Sequence, residues 1–190
     1  YKCLSFDRLP VDHESYFETD KKRVLVTCGT HLKWEKERMV ERAKKLSQLY
    51  PDYLFYVTLG EASGLGNPPR ELAENLLLFD YLPYTDILDK IDFAIHHAGT
   101  GIMMACIEQE IPSLILPQDY DQFDNAVRAE LAQVGLVARR KTDAEVLHLF
   151  KELTDRTDWS QLKNLAQQSK EYQPTEILYQ ELGQLLKVDL

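Results

Sequence analysis

The sequence predicts an α/β fold in which helices cover both faces of a parallel β-sheet. Short apolar runs rich in β-branched and aromatic residues alternate along the chain with longer segments whose apolar residues recur at helical spacing. Strands that alternate with helices pair in parallel, because each helix carries the chain back across the sheet. The alternation therefore predicts a Rossmann-like sheet, whose ligands bind at the carboxyl ends of the strands.

Each element follows from a local pattern. Apolar runs predict strands at 24–28, 53–59, 76–79, 93–95, 113–116 and 136–138. Helical spacing predicts helices at 34–50, 102–107, 122–133, 142–153, 159–172 and 175–187, with a short one ending near Lys90. Residues 70–75 predict a short helical turn. In helix 122–133 the inward side is expected to hold Phe123, Ala126, Val127 and Leu131.

The chain divides into two parts by composition. Residues 1–22 are polar and irregular and predict a linker from an N-terminal domain that is absent. Residues 23–190 predict one domain with a helical tail, since 190 residues suffice for a single core. The first residue is Tyr1 and not Met, so we expect a processed product or a piece of something longer.

Charge and cysteine content exclude several function classes. The net charge of −9 argues against a general nucleic-acid or anionic-membrane surface. Cys3, Cys28 and Cys106 are far apart and lack Cys-x-x-Cys spacing, which disfavours a disulfide framework or a zinc site and favours a reducing, cytoplasmic setting. No apolar run approaches the ~20 residues of a membrane-spanning helix.

The stretch from 93 to 126 carries the chemistry. A strand runs through His97 and the turn Gly99-Thr100-Gly101 into a helix. A helix start has unpaired backbone N–H groups and a positive dipole end, and glycine lets a phosphate approach them. His97 can donate a hydrogen bond to a phosphate oxygen, and it adds charge if protonated. Gly-x-Gly also occurs in turns that bind nothing, so this motif alone leaves both interpretations open.

Polar or aromatic side chains follow four of the predicted strands, namely Thr30, Tyr81, His97 and Asp121. Parallel strands end at one edge of a sheet, so we expect these residues to converge there. Three of them have a structural alternative: Thr30 as a helix cap, Tyr81 as a packing residue and Asp121 as a helix N-cap. His96 is interpreted as structural. Asn125 could line the site or bond the backbone.

The same stretch resembles the C-terminal donor-binding half of GT-B glycosyltransferases, specifically the UDP-glycosyltransferase family. The resemblance lies in His97-Ala98-Gly99, in Glu110-Ile111-Pro112, and in the run from Pro117 to Ala126 that contains Asp121-Gln122 and Asn125-Ala126. It covers roughly residues 20–140. The resemblance implies a donor-binding set of Gly29, Thr30, Tyr81, Leu82, His97, Gly99, Thr100, Gly101, Asp121, Gln122 and Asn125.

The resemblance also implies a role for each part of that set. Gly29 and Thr30 face the donor phosphates. Tyr81 stacks on the nucleotide base, and the backbone of Leu82 meets the base edge. Asp121 and Gln122 bind the sugar hydroxyls. The last helix of the family often crosses to the N-terminal domain, whereas here the apolar residues of helix 175–187 are also able to fold on this domain; these are Ile177, Leu178, Leu182, Leu185 and Leu186.

Two departures from the family pattern concern the nucleotide. Ile102 and Met103 stand where the family has small hydroxyl residues that bond phosphate. Ala105 stands where the family has a glutamate for the ribose hydroxyls, and Glu108, one turn further, is a poor substitute. The family's catalytic histidine belongs to the N-terminal domain, and neither His13 nor His31 matches it. No catalytic residue is therefore assigned in this chain.

The sequence thus predicts the donor-binding half of a metal-independent glycosyltransferase, which moves a hexose from a nucleotide sugar, a UDP-sugar by resemblance, to an acceptor hydroxyl. No cofactor or metal is expected. The expected partner is a missing acceptor-binding domain or subunit, without which the chain is expected to be inactive. The alternative is a non-catalytic nucleotide-sugar-binding or assembly module. A sugar-nucleotide epimerase shares the fold but would need an acid–base pair, and no convincing pair is present.

Overall fold

The computed structural model describes residues 11–172 and 174–186, apart from the side chains of Val11, Asp12, Pro174 and Leu186. One seven-stranded sheet has the order β3-β4-β2-β1-β5-β6-β7. All neighbouring strands pair in parallel except β3 and β4, which pair antiparallel. The strands are β1 (Lys22–Thr27), β2 (Tyr53–Thr58), β3 (Arg70–Ala73), β4 (Leu76–Phe79), β5 (Phe93–His96), β6 (Ser113–Ile115) and β7 (Gly135–Val137).

Helices cover both faces of the sheet, as the sequence predicts. They are α1 (Lys36–Leu49), α2 (Tyr84–Ile87), α3 (Thr100–Glu108), α4 (Gln122–Leu131), α5 (Asp143–Asp155), α6 (Ser160–Glu171) and α7 (Pro174–Leu186). Side chains alternate between the two faces along each strand. Val24 and Val26 therefore pack with α1, α4 and α5, whereas Leu25 packs with α2 and α3.

The register of the sheet brings the site loops together. Thr27, the last residue of β1, lies opposite His96 of β5 and Thr58 of β2, and His96 lies opposite Ile115 of β6. The loops that follow β1, β4, β5 and β6 therefore emerge at one edge of the sheet. This edge is where the sequence predicted the donor site.

Residues 70–75 were predicted as a helical turn, and this prediction is wrong. Arg70–Ala73 forms β3, an exposed antiparallel edge strand that begins directly after Pro68-Pro69. Asn75 explains the hairpin, since its buried amide Nδ2 donates to the carbonyl oxygens of Ser47, Tyr50 and Tyr53. Those tertiary contacts decide the conformation, and a local propensity cannot anticipate them.

The inward side of α4 was also predicted wrongly in part. Ala126 is buried as predicted, but its buried neighbours are Gln122 and Ala129. Phe123 and Val127 are half exposed, and Leu131 is 78% exposed. The two alanines let the helix pack closely, and this rotates the larger apolar residues outward.

The packed domain begins earlier in the chain than residue 23, the start that was predicted from the sequence. Residues Val11–Phe17 form a 3₁₀ helix. The ring of Phe17 stacks on that of Tyr56 with centroids 4.6 Å apart, and His13 is buried. These core side chains were not predicted from the sequence, because the residues around them are mostly polar and show no apolar pattern. Residues 1–10 lie outside the described part of the chain, so a linker there remains a prediction.

The last helix, α7, does not fold on this domain over its described side chains. Ile177, Leu178, Leu182 and Leu185 are all exposed, Leu185 to 77%. The predicted end of this helix at Lys187, and the side chain of Leu186, lie outside the described residues. In the described ranges no helix is both long enough and apolar enough to cross a membrane.

Candidate functional site

The imidazole of His97 is enclosed by two glycines. A Cβ added to Gly29 would lie 2.8 Å from Nε2 of His97, and one added to Gly99 would lie 2.4 Å from it. Neither position has room for a side chain while the ring stays in place. Gly29 has the further constraint of a positive φ of 72°. A Cβ on Gly101 would meet nothing within 4 Å. Gly29 and Gly99 thus make space for the histidine, and Gly101 faces an open region.

His97 is neutral near pH 7. Burial lowers the pKa of its imidazole to about 4, against opposing effects of the Thr27 backbone and Asp121, while the nearby His31 lowers it further. The ring can therefore donate only one hydrogen bond unless a ligand charges it. The additional charge that the sequence analysis allowed for His97 is absent in the unliganded protein. An anion bound against this ring would favour protonation.

His96 is structural, as the sequence predicted. Its Nδ1 accepts a hydrogen bond from the backbone N–H of Ala98 at 3.0 Å. Ala98 has a positive φ of 67°, a conformation that non-glycine residues rarely adopt, so this bond supports a strained turn. Burial, with a smaller effect of His97, lowers the pKa of His96 to about 3.

Asn125 fixes the glycine turn to helix α4. Its Nδ2 lies 3.0 Å from the carbonyl oxygen of Ala98, 3.2 Å from Oδ2 of Asp121 and 3.4 Å from Oγ1 of Thr100. Of the two alternatives for Asn125, the structure therefore supports the bond to backbone. Asp121 precedes α4, but its side chain makes no capping bond. Its carboxylate instead accepts from Asn125 and, at 3.5 Å, from Thr100.

Gln122 holds the loop after β6. Its Oε1 accepts hydrogen bonds from the backbone N–H groups of Gln118 at 2.9 Å and Asp119 at 3.2 Å. Only its amide NH₂ is therefore left to reach a ligand. Asp121 and Gln122, which the resemblance pairs as sugar ligands, differ in freedom. Asp121 is exposed, whereas Gln122 is buried.

Thr30 lies exposed at the same edge, after β1. It is not a helix cap, because the 3₁₀ turn Lys33–Glu35 begins only after Leu32, which lies two residues further on. Oγ1 of Thr30 lies 3.0 Å from Nδ1 of the exposed His31. The sequence analysis did not include His31 in the site, because the family motif has no corresponding histidine.

The loop after β4 reaches the end of β1. Tyr81 is half-buried, and the side chain of Leu82 is buried in the core. Tyr84, the first residue of α2, places its hydroxyl 2.9 Å from Oγ1 of Thr27. Thr27 also accepts from the backbone N–H of Gly29 at 3.0 Å. Tyr84 and Thr27 were not among the residues predicted from the sequence. A threonine in an otherwise apolar strand end was the signal that could have indicated them.

The first turn of α3 carries Thr100 and Gly101, and both are exposed. Ile102 and Met103 continue into the two core clusters, one on each face of the sheet. Their apolar character thus anchors the helix start. Glu108 does not face the site, since its carboxylate accepts from Ser169 of α6. Glu108 therefore cannot replace the glutamate that the family has at the position of Ala105.

A cavity of about 30 Å³ lies behind His97, between α1 and the ends of β1 and β5. This space suits one or two water molecules. Its wall includes the buried ion pair of Glu35 and Arg42, whose Oε1 and Nη1 are 2.7 Å apart. Within residues 11–172 and 174–186, no group of three or more His, Cys, Asp and Glu side chains is arranged to hold a metal ion.

This sheet, with its loops converging on a half-buried histidine at a helix start, is the C-terminal domain architecture of a GT-B glycosyltransferase. Residues 57–183 match the family model described as "Erythromycin biosynthesis protein CIII-like, C-terminal domain". The match covers more than half of the chain. The chain belongs to that family.

Known proteins of the same architecture agree. The chain is 33% identical over 99 residues to the sterol 3-beta-glucosyltransferase of Komagataella phaffii. The aligned region covers 52% of this chain and 8% of that protein. The structure of spinosyn forosaminyltransferase SpnP has a TM-score of 0.73 and 21% identity, covering 95% of this chain and 47% of that chain. Spinosyn rhamnosyltransferase SpnG complexed with thymidine diphosphate has a TM-score of 0.67 and 19% identity, covering 84% and 44%.

The chain thus spans less than a tenth of the sterol glucosyltransferase and under half of both solved chains. Likeness at this level of identity to the solved structures establishes the fold. It does not transfer their sugars or acceptors to this chain.

Proposed function

We propose that this chain is the donor-binding half of a metal-independent glycosyltransferase, which holds a nucleoside-diphosphate sugar, a UDP-sugar by the motif resemblance, for transfer of a hexose to an acceptor hydroxyl. The observation that carries the proposal is the packing of His97 against Gly29 and Gly99 at the start of α3. A hydrogen-bond donor of fixed position lies there beside unpaired backbone N–H groups. This combination suits a diphosphate.

The chemistry follows from the charge of the leaving group. A nucleoside diphosphate gains negative charge as the bond to the sugar breaks. His97, neutral before the reaction, would donate to a phosphate oxygen, and the backbone N–H groups of Thr100 and Gly101 would add their partial charge. Asp121, exposed nearby and bonded to Asn125, would accept hydrogen bonds from the sugar hydroxyls. The acceptor and the base that removes its proton belong to a further domain or subunit.

The proposal that the nucleotide is UDP rests on the motif resemblance. Tyr81 offers an aromatic face to a base, and the motif around His97 favours UDP. The SpnG structure contains thymidine diphosphate, which makes that nucleotide the competitor. Ala105 offers no carboxylate to the ribose. UDP and TDP are therefore compared directly, with GDP as a purine control.

The test is calorimetric titration of the folded chain with UDP, TDP and GDP. Saturable UDP binding that weakens at least tenfold in His97→Asn supports the proposal. His148→Gln, which changes an exposed histidine on α5, is the matched control and should bind as the unaltered chain does. Preference for TDP would correct the nucleotide and leave the donor site in place. Failure of the folded chain to bind any of the three would overturn the proposal.

A second candidate is a non-catalytic module that binds a nucleotide sugar or assembles with a partner. Ala105 and the exposed apolar side of α7 favour it. Adding a donor and an acceptor to this chain, alone and together with its N-terminal domain, separates the two. Sugar transfer by the combination supports the enzyme, and binding without transfer supports the module. Both free cysteines described, Cys28 and Cys106, are buried, which fits the proposed cytoplasmic setting.

A further inference from the structure

We propose that Tyr84 is a positioning residue that couples the nucleoside-binding loop to the diphosphate-binding turn. This inference rests on the proposed function. It assigns a role to a side chain that none of the motifs contains. Tyr84 follows Leu82 by two residues, so the loop predicted to contact the base also carries this tyrosine.

The coupling runs through two hydrogen bonds. Oη of Tyr84 lies 2.9 Å from Oγ1 of Thr27, and that same Oγ1 accepts from the N–H of Gly29 at 3.0 Å. Thr27 is buried at the end of β1. Either hydroxyl of this pair can donate to the other, and loss of the bond leaves the buried Thr27 without one of its two partners.

Gly29 transmits the arrangement to His97. Its backbone packs so closely on the imidazole that a Cβ would lie 2.7 Å from Cε1. Its φ of 72° is held by the bond from its N–H to Thr27. If this turn relaxed, the Gly29 backbone would move away from the His97 ring, and the ring N–H would change its direction. Tyr84 thus acts on the phosphate end of the site without reaching a phosphate.

Tyr84 is suited to a structural hydrogen bond. Burial raises the pKa of its phenol, and the bond to Thr27 opposes that effect only in part. The hydroxyl therefore stays neutral and keeps its proton across the working pH range. Its ring packs on the core cluster of β1, β4 and α3, so removal of the oxygen alone leaves the packing intact.

The experiment compares the affinities of UDP and uridine for Tyr84→Phe. We expect UDP binding to weaken about fivefold and uridine binding to change less than about twofold, since one net hydrogen bond is lost at the phosphate end. Tyr56→Phe is the matched control. It removes another tyrosine hydroxyl bond, from Oη to the carbonyl oxygen of Tyr16 at 2.8 Å. It should lower the melting temperature similarly and leave the ratio of UDP to uridine affinity unchanged.

Two further measurements separate positioning from stability. The ¹⁵N chemical shifts of the His97 ring should change in Tyr84→Phe and not in Tyr56→Phe. Thr27→Ser should retain the UDP-to-uridine ratio, whereas Thr27→Val should change it and make a second change at Tyr84 silent. An equal ratio in Tyr84→Phe and the unaltered chain would overturn this inference alone. Absence of binding of UDP, TDP and GDP to the unaltered chain would overturn the proposed function and this inference with it.

Discussion

Acidification from pH 7 to pH 5 is expected to destabilise this domain through His96 and His97. Both are neutral imidazoles, His96 buried and His97 half-buried, with pKa values of about 3 and about 4 in the folded chain. An unfolded histidine has a pKa of ~6.5. The unfolded chain therefore binds more protons than the folded chain below pH 6.5. Stability is fully present above that pH and is lost as the pH falls towards the folded pKa values.

The size of the effect follows from those values. At pH 5 an unfolded histidine is almost fully protonated, whereas both folded ones remain almost entirely neutral. Each histidine then contributes a loss of roughly 2 kcal/mol between pH 7 and pH 5, and the pair a loss of about 4 kcal/mol. The reference pKa values of carboxyl groups, ~3.9 and ~4.3, lie below this window, so the histidines dominate it.

Urea denaturation at pH 7, 6 and 5 measures the loss. His97→Gln should reduce the difference between pH 7 and pH 5 by about half, because one of two titrating groups is gone. His148→Gln, on the exposed side of α5, should leave it as it is. A free energy of unfolding that changes by less than about 1 kcal/mol from pH 7 to pH 5 would refute the assignment of His96 and His97 as neutral in the folded chain.

Three further substitutions test the site and its support. Gly99→Ala should destabilise the chain by about 1–3 kcal/mol in thermal melts, because the new Cβ displaces the His97 ring. The control is Gly101→Ala, whose Cβ meets nothing and which should be neutral or stabilise the helix by up to ~1 kcal/mol. Equal effects of the two substitutions would contradict the enclosure of His97. Asn125→Asp replaces a hydrogen-bond donor by a carboxylate beside Asp121, and it should lower the free energy of unfolding by about 2–3 kcal/mol in urea denaturation. Asn125→Ser should lower it less. An unchanged denaturation midpoint would exclude the role of Asn125 in holding the turn. Glu35→Gln removes the buried counter-charge 2.7 Å from Arg42 and leaves only the more exposed Asp143 at 3.8 Å, so it should cost about 3 kcal/mol, while the double change Glu35→Leu with Arg42→Leu should cost less. Additive losses would show that the pair is not coupled.

The fold was predictable because its strongest signals are local. The runs at 76–79 and 93–95 are apolar on both faces, as in a parallel strand buried between helix layers. Thr142 caps the start of α5, and its hydroxyl accepts a hydrogen bond from the backbone N–H of Glu145 three residues further on. The antiparallel β3 was not predictable in this way, because the amide of Asn75 that fixes its hairpin bonds three carbonyl groups from distant α1 and β2 neighbours.

The position of the candidate site at one edge of the sheet was predictable, whereas the contacts within it were not. The ends of parallel strands meet at one edge, so Thr30, Tyr81, His97 and Asp121 were expected to converge from topology alone. The sequence analysis explained Gly29 and Gly99 by the approach of a phosphate, whereas both also enclose the His97 ring. Which hydroxyl or amide satisfies which partner, as with Tyr84 and Thr27, depends on distances of a few tenths of an ångström.

Both borders of the sheet are short. The strand β3 has four residues, all exposed and two of them charged, and β7 at the opposite border has three. Such borders offer few backbone groups for pairing with another strand, so the sheet is a closed unit. A second domain would then have to be joined by a tether and by side-chain surfaces, and not by a continuous sheet. Two domains joined in that way can rotate relative to each other while every hydrogen bond of this sheet remains intact.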